Sequence, residues 1–226
     1  MAGRSKRYTE GKAKVTAGKE YAVAEAVAVL KSMPKAKFDE ALEIAVKLGI
    51  DPKQSDQAVR GTVSLPKGTG RTVRVIAFAE GEAAKAAKDA GAVEAGGPEL
   101  VERVNGGWTE FDIAIATPAM MQHVRKLGRV LGPQGKMPSP KAGTVTDDVV
   151  TAVSEFRKGR IEFRNDDTGN IHVALGRMSF SAEDLQANVE AFLAHLTSAR
   201  PATAKGRFVE RAFLSTTMGA ALRLSV

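Results

Sequence analysis

Residues 73–90, VRVIAFAEGEAAKAAKDA, decide the fold class of the middle of the chain. Val73–Ala79 is a mostly apolar run of strand length, and Glu82–Ala90 is a short helical segment with alanines on its buried side. Ile113–Ala116 (IAIA) repeats the apolar run, and the helical segment Ala119–Leu127 follows it. Alternating strands and helices predict βαβ units with a parallel sheet. This section is therefore expected to be a small α/β domain.

The two flanks of this section show a different pattern, in which polar and apolar residues alternate. Before it, Tyr21–Met33 has helical spacing, and Phe38–Leu48 and Val59–Leu65 are expected strands. The elements expected after it are the strands Ile161–Arg164 and Ile171–Leu175 hairpinned around the turn-rich Asn165–Asn170, a helix from Ser181 to about Thr197, and last strands at Arg207–Thr217 and Ala221–Val226.

Two features mark the ends of the middle section. Pro66–Gly70 (PKGTG) is rich in residues that break regular structure, and Gly159 follows a predicted amphipathic helix at Asp147–Lys158. Both ends of the chain are therefore expected to be α+β, flanking an α/β insert. A chain of 226 residues is long enough for two domains that each bury a core.

Composition restricts the function classes. Lys and Arg outnumber Asp and Glu by 33 to 26, and the net charge of +7 favours a nucleic acid or an anionic membrane as partner. Aromatic residues make up only 5%, so stacking on an aromatic platform is not expected to dominate. The absence of Cys excludes a disulfide scaffold, Cys-ligated zinc and a thiol nucleophile. No apolar run approaches the ~20 residues that span a bilayer, so we expect a cytoplasmic protein with no membrane partner.

The stretch Gly128–Val145, GRVLGPQGKMPSPKAGTV, holds four glycines, three prolines, three cations and no acid. Such a run cannot be an ordinary helix or a central strand, and it predicts a shaped cationic loop. Because Arg129, Lys136 and Lys141 lie on this loop, its natural ligand is a polyanion. A structural connector in the middle domain is an equally good interpretation.

The sequence lacks residues that the known motifs for nucleotide binding and catalysis require. Val130 stands where a P-loop needs its first glycine, and Val73 stands where a dinucleotide fingerprint starting at Gly68 needs its third. No metal spacing or catalytic triad surrounds His123, His172 and His195. Two alternatives stay open: an α/β enzyme that binds a phosphorylated small molecule through the glycine loop, and a nonspecific DNA-binding protein.

Lys126–Val145, KLGRVLGPQGKMPSPKAGTV, resembles the signature of the L-one family of large-subunit ribosomal proteins. Five further motifs stand in the order found in the bacterial members: Ala36–Glu40 (AKFDE), Lys47–Pro52 (KLGIDP), Ser55–Pro66 (SDQAVRGTVSLP), Gly159–His172 (GRIEFRNDDTGNIH) and Ser215–Gly219 (STTMG). The resemblance covers nearly the whole chain.

The resemblance implies two domains: a discontinuous α+β domain formed by residues 1–67 and 159–226, and a Rossmann-like α/β domain with a parallel sheet inserted over residues 68–158. It implies a non-enzymatic constituent of the large ribosomal subunit that binds the stalk segment of large-subunit rRNA. Other implied partners are exit-site tRNA, whose movement and release it assists, its own messenger RNA, whose translation it represses, and other large-subunit components. No cofactor or metal is implied, and we expect the free protein to be a monomer.

The resemblance also places the expected rRNA-binding residues in three segments of the discontinuous domain. These residues are Lys37, Phe38 and Glu40; Arg164, Asn165, Asp166, Thr168, Gly169 and His172; and Ser215, Thr216, Thr217, Met218 and Gly219. Auxiliary RNA contacts are expected at Arg7, Arg129, Lys136 and Lys141.

The chemistry of these side chains suits A-form RNA. Short donors and acceptors reach the 2′-hydroxyls in its wide minor groove, while Lys37 and Arg164 are expected to meet phosphates. Glu40 and Asp166 are expected to accept from a 2′-hydroxyl or a base amine and so to distinguish RNA from DNA. The competing interpretation is structural: a first core residue of its strand at Phe38, a connecting turn after Arg164, and a core methionine near the C-terminus.

Overall fold

The computed structural model describes residues 5–54 and 56–226, and at Lys141 the backbone alone. Ser55, which opens one of the family motifs, lies outside the described residues. The chain forms two compact units, Met1–Arg71 with Glu162–Val226 and Thr72–Ile161. Each unit has its own sheet and its own core.

The helices are α1 (Lys6–Ala13), α2 (Val23–Ser32), α3 (Gly81–Asp89), α4 (Pro98–Asn105), α5 (Met121–Val124), α6 (Gly128–Leu131), α7 (Val149–Lys158) and α8 (Ala182–Ser198), with 3-10 turns at Arg125–Leu127 and Pro140–Ala142. The strands are β1 (Ala41–Leu48), β2 (Arg60–Ser64), β3 (Val75–Phe78), β4 (Glu94–Gly96), β5 (Ile113–Ala116), β6 (Arg160–Arg164), β7 (Asn170–Arg177), β8 (Val209–Thr216) and β9 (Leu222–Leu224).

The first unit is built on a four-stranded sheet in the order β7-β1-β8-β9, with antiparallel pairing throughout. In the central strand β1, Leu42, Ile44, Val46 and Leu48 are buried, as the alternation in the sequence predicts. The helices α2 and α8 contact each other and the sheet. The sheet therefore has one face in the core and one face that carries the remaining side chains of β1, β7 and β8.

The second unit is built on a three-stranded parallel sheet in the order β4-β3-β5. All four residues of β3 are buried, which is typical of a parallel strand covered on both faces. Ile76 and Phe78 pack into one apolar cluster with α4, and Val75 and Ala77 pack into another with α3 and α7. The predicted α/β class with a parallel sheet is confirmed here.

The expected hairpin between the strands around residues 165–170 is wrong in one respect. β6 pairs with β2, and it is joined to β7 only by the isolated bridge between Asn165 and Ile171. The reason lies in Asn165, whose N–H donates to the carbonyl of Val59 at 3.0 Å and whose Oδ1 accepts from the N–H of Val59 at 2.9 Å. These two hydrogen bonds hold the end of β6 beside the start of β2.

Three helices, α1, α4 and α6, are not among the elements expected from the sequence. The first turn of the glycine-rich stretch, Gly128–Leu131, is helical, since Gly128 takes ordinary helical angles and Leu131 is buried. α1 lies in a basic segment whose apolar pattern gives no helical signal. Its start is capped by Ser5, whose hydroxyl accepts from the N–H of Tyr8 at 3.3 Å, and Gly11 packs on Met33.

Candidate nucleic-acid interface

Glu40 lies just before β1 and is the most buried acid of the candidate interface, with 5% of its surface exposed. One carboxylate oxygen accepts from the N–H of Ala36 at 3.0 Å, and the other accepts from the N–H of Met218 at 3.1 Å. Burial alone raises the pKa of Glu40, but hydrogen bonds from Thr216, Met218 and Ala36 and the charge of Arg7 outweigh it and leave the pKa below its ordinary value. Glu40 is therefore a charged acceptor inside the protein.

Two apolar side chains next to Glu40 face solvent. Phe38 is 54% exposed and Met218 is 52% exposed. Both line a pocket of about 280 Å³, between α1, the end of α2 and the segment that follows β8. Neither residue is a core residue of its strand, so the structural interpretation of these two positions is wrong. Lys37, beside Phe38, is also exposed.

The segment after β8 turns sharply and is tied to the start of β1. The N–H of Thr217 donates to the carbonyl of Ala41 at 3.1 Å, and the Thr217 hydroxyl accepts from the N–H of Ala41 at 2.9 Å. Thr216 is buried, and its carbonyl accepts from the N–H of Gly219 at 3.0 Å. The turn therefore presents Thr217 and Met218 outward on a backbone fixed by hydrogen bonds.

The turn between β6 and β7 is organised by Asp166. Its Oδ1 accepts from the N–H of Asn170 at 2.7 Å and from the N–H and hydroxyl of Thr168 at 2.9 and 2.8 Å. The hydrogen bond from Asn170 is the main reason that the pKa of Asp166 lies far below its ordinary range. Gly169 takes a left-handed φ of +79°, which a residue with a side chain rarely adopts. Arg164, Asp166 and Thr168 are exposed here.

The strand register places these two groups at opposite ends of β1. Leu42 pairs with Thr216 at one end, and Lys47 pairs with Asn170 at the other. Because an antiparallel strand rises about 3.4 Å per residue, Ala41 and Leu48 lie roughly 24 Å apart. The segments that carry Phe38 and Met218 thus flank one end of the sheet, and the turn that carries Asp166 flanks the other.

The outer face of the sheet connects the two ends. His172 on β7 pairs with Ala45 on β1, and Ser215 on β8 pairs with Glu43. The His172 side chain is 66% exposed, with its Nε2 3.9 Å from Oδ2 of Asp166. A shallow depression of about 270 Å³ lies on this face, with His172, Ala174 and Ser215 along it. The small side chains allow a ligand to approach the sheet closely.

The chain is similar over most of its length to proteins of known family. Residues 30–220 match the model of the "Ribosomal protein L1p/L10e family". A protein named "Large ribosomal subunit protein uL1" from Kosmotoga olearia is 50% identical over 224 residues, covering 99% of this chain and 97% of its own. Proteins of the same name from Protochlamydia amoebophila and Leifsonia xyli are each 49% identical, covering 98% and 100% of this chain and 94% and 99% of their own.

This chain belongs to the ribosomal protein L1p/L10e family. As a member of a ribosomal protein family it is not an enzyme, and the phosphate-binding enzyme alternative falls. Among the described residues, no group of three or more His, Asp or Glu is placed to hold a metal ion. No helix within those residues is both long and apolar enough to cross a bilayer.

The auxiliary positions differ in exposure and in the contacts that they make within the protein. Arg129 is exposed on α6. Lys136 donates to the carbonyl of Thr109 at 2.9 Å and lies 5.2 Å from the ring centre of Phe111, so its charge is used inside the second unit. The side chain of Lys141 lies outside the described part of the structure.

Arg7, the remaining auxiliary position, makes several contacts within the first unit. Its guanidinium donates to the carbonyl of Met218 at 2.9 Å, to the carbonyl of Pro34 at 3.3 Å and to Glu40 at 3.4 Å. These contacts use part of the donor capacity of the guanidinium, whose side chain is 27% exposed. No sequence pattern points to this arrangement, since the partners are up to 211 residues apart in the chain.

Two further residues join the candidate site by position. Lys47 on β1 donates to the carbonyl of Thr168, and Arg211 pairs with Lys47 across the sheet. Both lie on the outer face, beside the Asp166 turn. The sequence signal for them is the alternation of β1 and β8, which places every second residue on the face opposite the core.

Proposed function

We propose that this protein is a constituent of the large ribosomal subunit that binds the stalk segment of large-subunit rRNA through the outer face of its antiparallel sheet. One observation carries the proposal: three separate family motifs are brought to the same sheet, at both ends of β1. Family membership and the names of the relatives support the ribosomal assignment. Its place of action is then the ribosome in the cytoplasm.

The geometry favours recognition of RNA shape. An RNA minor groove offers 2′-hydroxyls and phosphates over a broad, shallow surface. On the protein side, exposed Thr217 and Thr168 stand at the two ends of β1, with Ser215 and His172 between them. Lys37 and Arg164 supply a cation at each end for phosphates. A rigid sheet with contacts about 24 Å apart selects an RNA that is folded to match both ends.

The remaining roles follow from the same surface and the family. An RNA structure on its own messenger that resembles the stalk segment would bind here in competition with rRNA, and translation would then be repressed. Exit-site tRNA would meet the protein once it is held on the stalk, and the protein would assist the movement and release of that tRNA. The domain arrangement proposed for these roles is the discontinuous domain of residues 1–67 and 159–226 as the main rRNA binder, with residues 68–158 inserted.

Titration of the full chain with a stalk rRNA fragment, a scrambled RNA of equal length and a DNA of the same sequence tests the rRNA proposal. We expect the preference for the stalk fragment to persist as salt rises from about 50 to 200 mM, because part of the binding energy comes from shape. Equal binding to all three that collapses with salt would leave only a basic surface and support nonspecific nucleic-acid binding.

The messenger proposal has a separate test. A labelled stalk fragment bound to the protein should be displaced by the leader region of the protein's own messenger, and a leader with its stem disrupted should not displace it. Displacement by neither RNA would remove the regulatory role without affecting the ribosomal one.

A further inference from the structure

The first turn of α1 reaches into the candidate interface through Arg7. Its guanidinium contacts three acceptors: the carbonyl of Pro34, the carbonyl of Met218 and the carboxylate of Glu40. These acceptors belong to the segment before β1 and the turn after β8, the two segments that carry Phe38 and Met218. Arg7 therefore ties both segments to one helix.

Glu40 also connects the segment before β1 to the turn after β8. It binds the N–H groups of Ala36 and Met218, so that one carboxylate holds the backbone on both sides of the pocket. The Glu40 side chain is 7% exposed and that of Arg7 is 27% exposed. Together, Arg7 and Glu40 contact Met218 at both its carbonyl and its N–H.

This arrangement does not suit a direct contact with RNA. A buried carboxylate whose oxygens already accept from backbone N–H groups has little capacity to accept from a 2′-hydroxyl. A guanidinium that donates to two carbonyls and a carboxylate has fewer donors to offer a phosphate. Phe38 and Met218 do face solvent, and they lie on the two segments that Arg7 and Glu40 connect.

We propose that Arg7 and Glu40 are positioning residues for RNA binding, which hold Phe38 and Met218 at a fixed separation through α1 and do not themselves bind the RNA. This inference rests on the proposed rRNA-binding function. It changes the role of Arg7 from an auxiliary RNA contact to a clamp, and that of Glu40 from a discriminator of RNA and DNA to its partner.

A residue that contacts phosphate and a positioning residue differ in how their loss changes the salt dependence of binding. Loss of a side chain that neutralises a phosphate lowers the slope of log K against log salt by about 0.7 to 0.9. Loss of a positioning residue lowers the affinity at every salt concentration and leaves the slope unchanged. We expect Arg7→Ala to lower affinity for the stalk rRNA fragment roughly 10-fold at an unchanged slope. Lys37→Ala, at an exposed cation, should reduce the slope.

For Glu40→Gln, the two possible roles of the acid predict opposite changes in RNA affinity. Removing an acid near RNA should strengthen binding if the acid only repels phosphate. We expect weaker binding, since glutamine retains one acceptor oxygen where the carboxylate uses two. The ratio of RNA to DNA affinity should stay as in the wild type, because the residue does not contact the 2′-hydroxyl. The double variant should bind about as weakly as the weaker single variant, as expected for a coupled pair.

Lys12→Ala is the matched control for charge, since it removes an exposed cation of the same helix and leaves the clamp intact. If Glu40→Gln fails to fold, Arg7→Lys carries the test, because a single ammonium on a shorter reach cannot replace the forked contacts of the guanidinium. Circular dichroism and thermal unfolding of each variant separate a loss of binding from a loss of fold.

Methyl NMR of the free protein tests the clamp without RNA. The Met218 signal, assigned with Met218→Leu, should change in position and width in Arg7→Ala and Glu40→Gln and stay unchanged in Lys12→Ala. Failure of the wild type to prefer the stalk fragment would overturn the proposed function, whereas an unchanged Met218 signal would overturn the clamp. The clamp also falls if Arg7→Ala reduces the salt slope as Lys37→Ala does, or if Glu40→Gln binds as tightly as the wild type.

Discussion

The N–H of Met218 donates to the carboxylate of Glu40 at 3.1 Å across 178 residues of sequence. This bond connects the start of the central strand β1 to the turn that follows β8. Both residues lie in motifs that carry the family resemblance, yet one is buried and the other is half exposed. The two motif residues therefore differ in their structural role: Glu40 fixes the backbone, and Met218 presents an apolar surface.

The pKa of Glu40 makes the stability of the first unit depend on pH. Burial raises this pKa, but the bonds from Thr216, Met218 and Ala36 and the charge of Arg7 place it below its ordinary value of 4.5. The charged form is therefore favoured in the folded state, and its contribution to stability is complete above about pH 4.5 and is lost as the pH falls through the folded pKa. We expect the Tm of the wild type to fall faster than that of Glu40→Gln as the pH is lowered from 5 to about 3. Parallel curves would contradict this assignment.

Gly219 is required by a close contact and not by its backbone angle. A Cβ at this position would stand 2.3 Å from Oγ1 of Thr216, which is itself held by Glu40. Gly219→Ala should therefore open the turn and lower the free energy of unfolding by about 1–3 kcal/mol. Gly128→Ala is the matched control, because its Cβ would meet nothing within 4 Å in a helix and should be neutral or slightly stabilising. Urea unfolding of both variants would decide, and equal midpoints would reject the contact argument.

The sequence predicted the regular parts of the fold because their patterns are local. The alternation from Leu42 to Leu48 gave a strand with one buried face, and Val75–Phe78 gave a buried parallel strand. α1 carries no apolar stripe, and it is fixed in place by its cap at Ser5 and by tertiary contacts through Arg7. Contacts of this kind leave no periodic signal in the sequence.

Asp166 should matter for RNA binding through the shape of its turn. Its oxygens hold Thr168 and Asn170, while its neighbour Asp167 is exposed and carries the same charge. We expect Asp166→Ala to weaken binding of the stalk fragment and to speed amide exchange at Thr168 and Asn170. Asp167→Ala makes the same change in charge and should bind RNA as well as the wild type or better. If both variants gain affinity equally, the turn has no organising role.

The resemblance proposes the candidate site residues, and the structure shows which of them are exposed. Pattern alone favours a core role for the methionine of the STTMG motif, yet Met218 is exposed and the buried member is Thr216. Lys136 is expected to contact RNA as a cation on a glycine-rich loop, and within the protein its ammonium also donates to the carbonyl of Thr109. Which cations face solvent depends on partners that are distant in sequence, and net charge does not reveal it.

Phe38→Ala should separate an effect on RNA binding from an effect on protein stability. Phe38 lies before β1 and is 54% exposed, so removal of its ring should change the free energy of unfolding by less than about 0.5 kcal/mol. An exposed ring that loses contact with a base or sugar on RNA should cost about 1–3 kcal/mol in binding, or roughly 5- to 150-fold in Kd. We therefore expect Phe38→Ala to unfold like the wild type in urea and to bind the stalk fragment much more weakly. Phe163→Ala is the opposite control, since that ring is buried and its loss should lower stability by about 3–5 kcal/mol. Wild-type affinity in Phe38→Ala would move the interface away from this end of β1 and leave the outer face and the Asp166 turn as the binding surface.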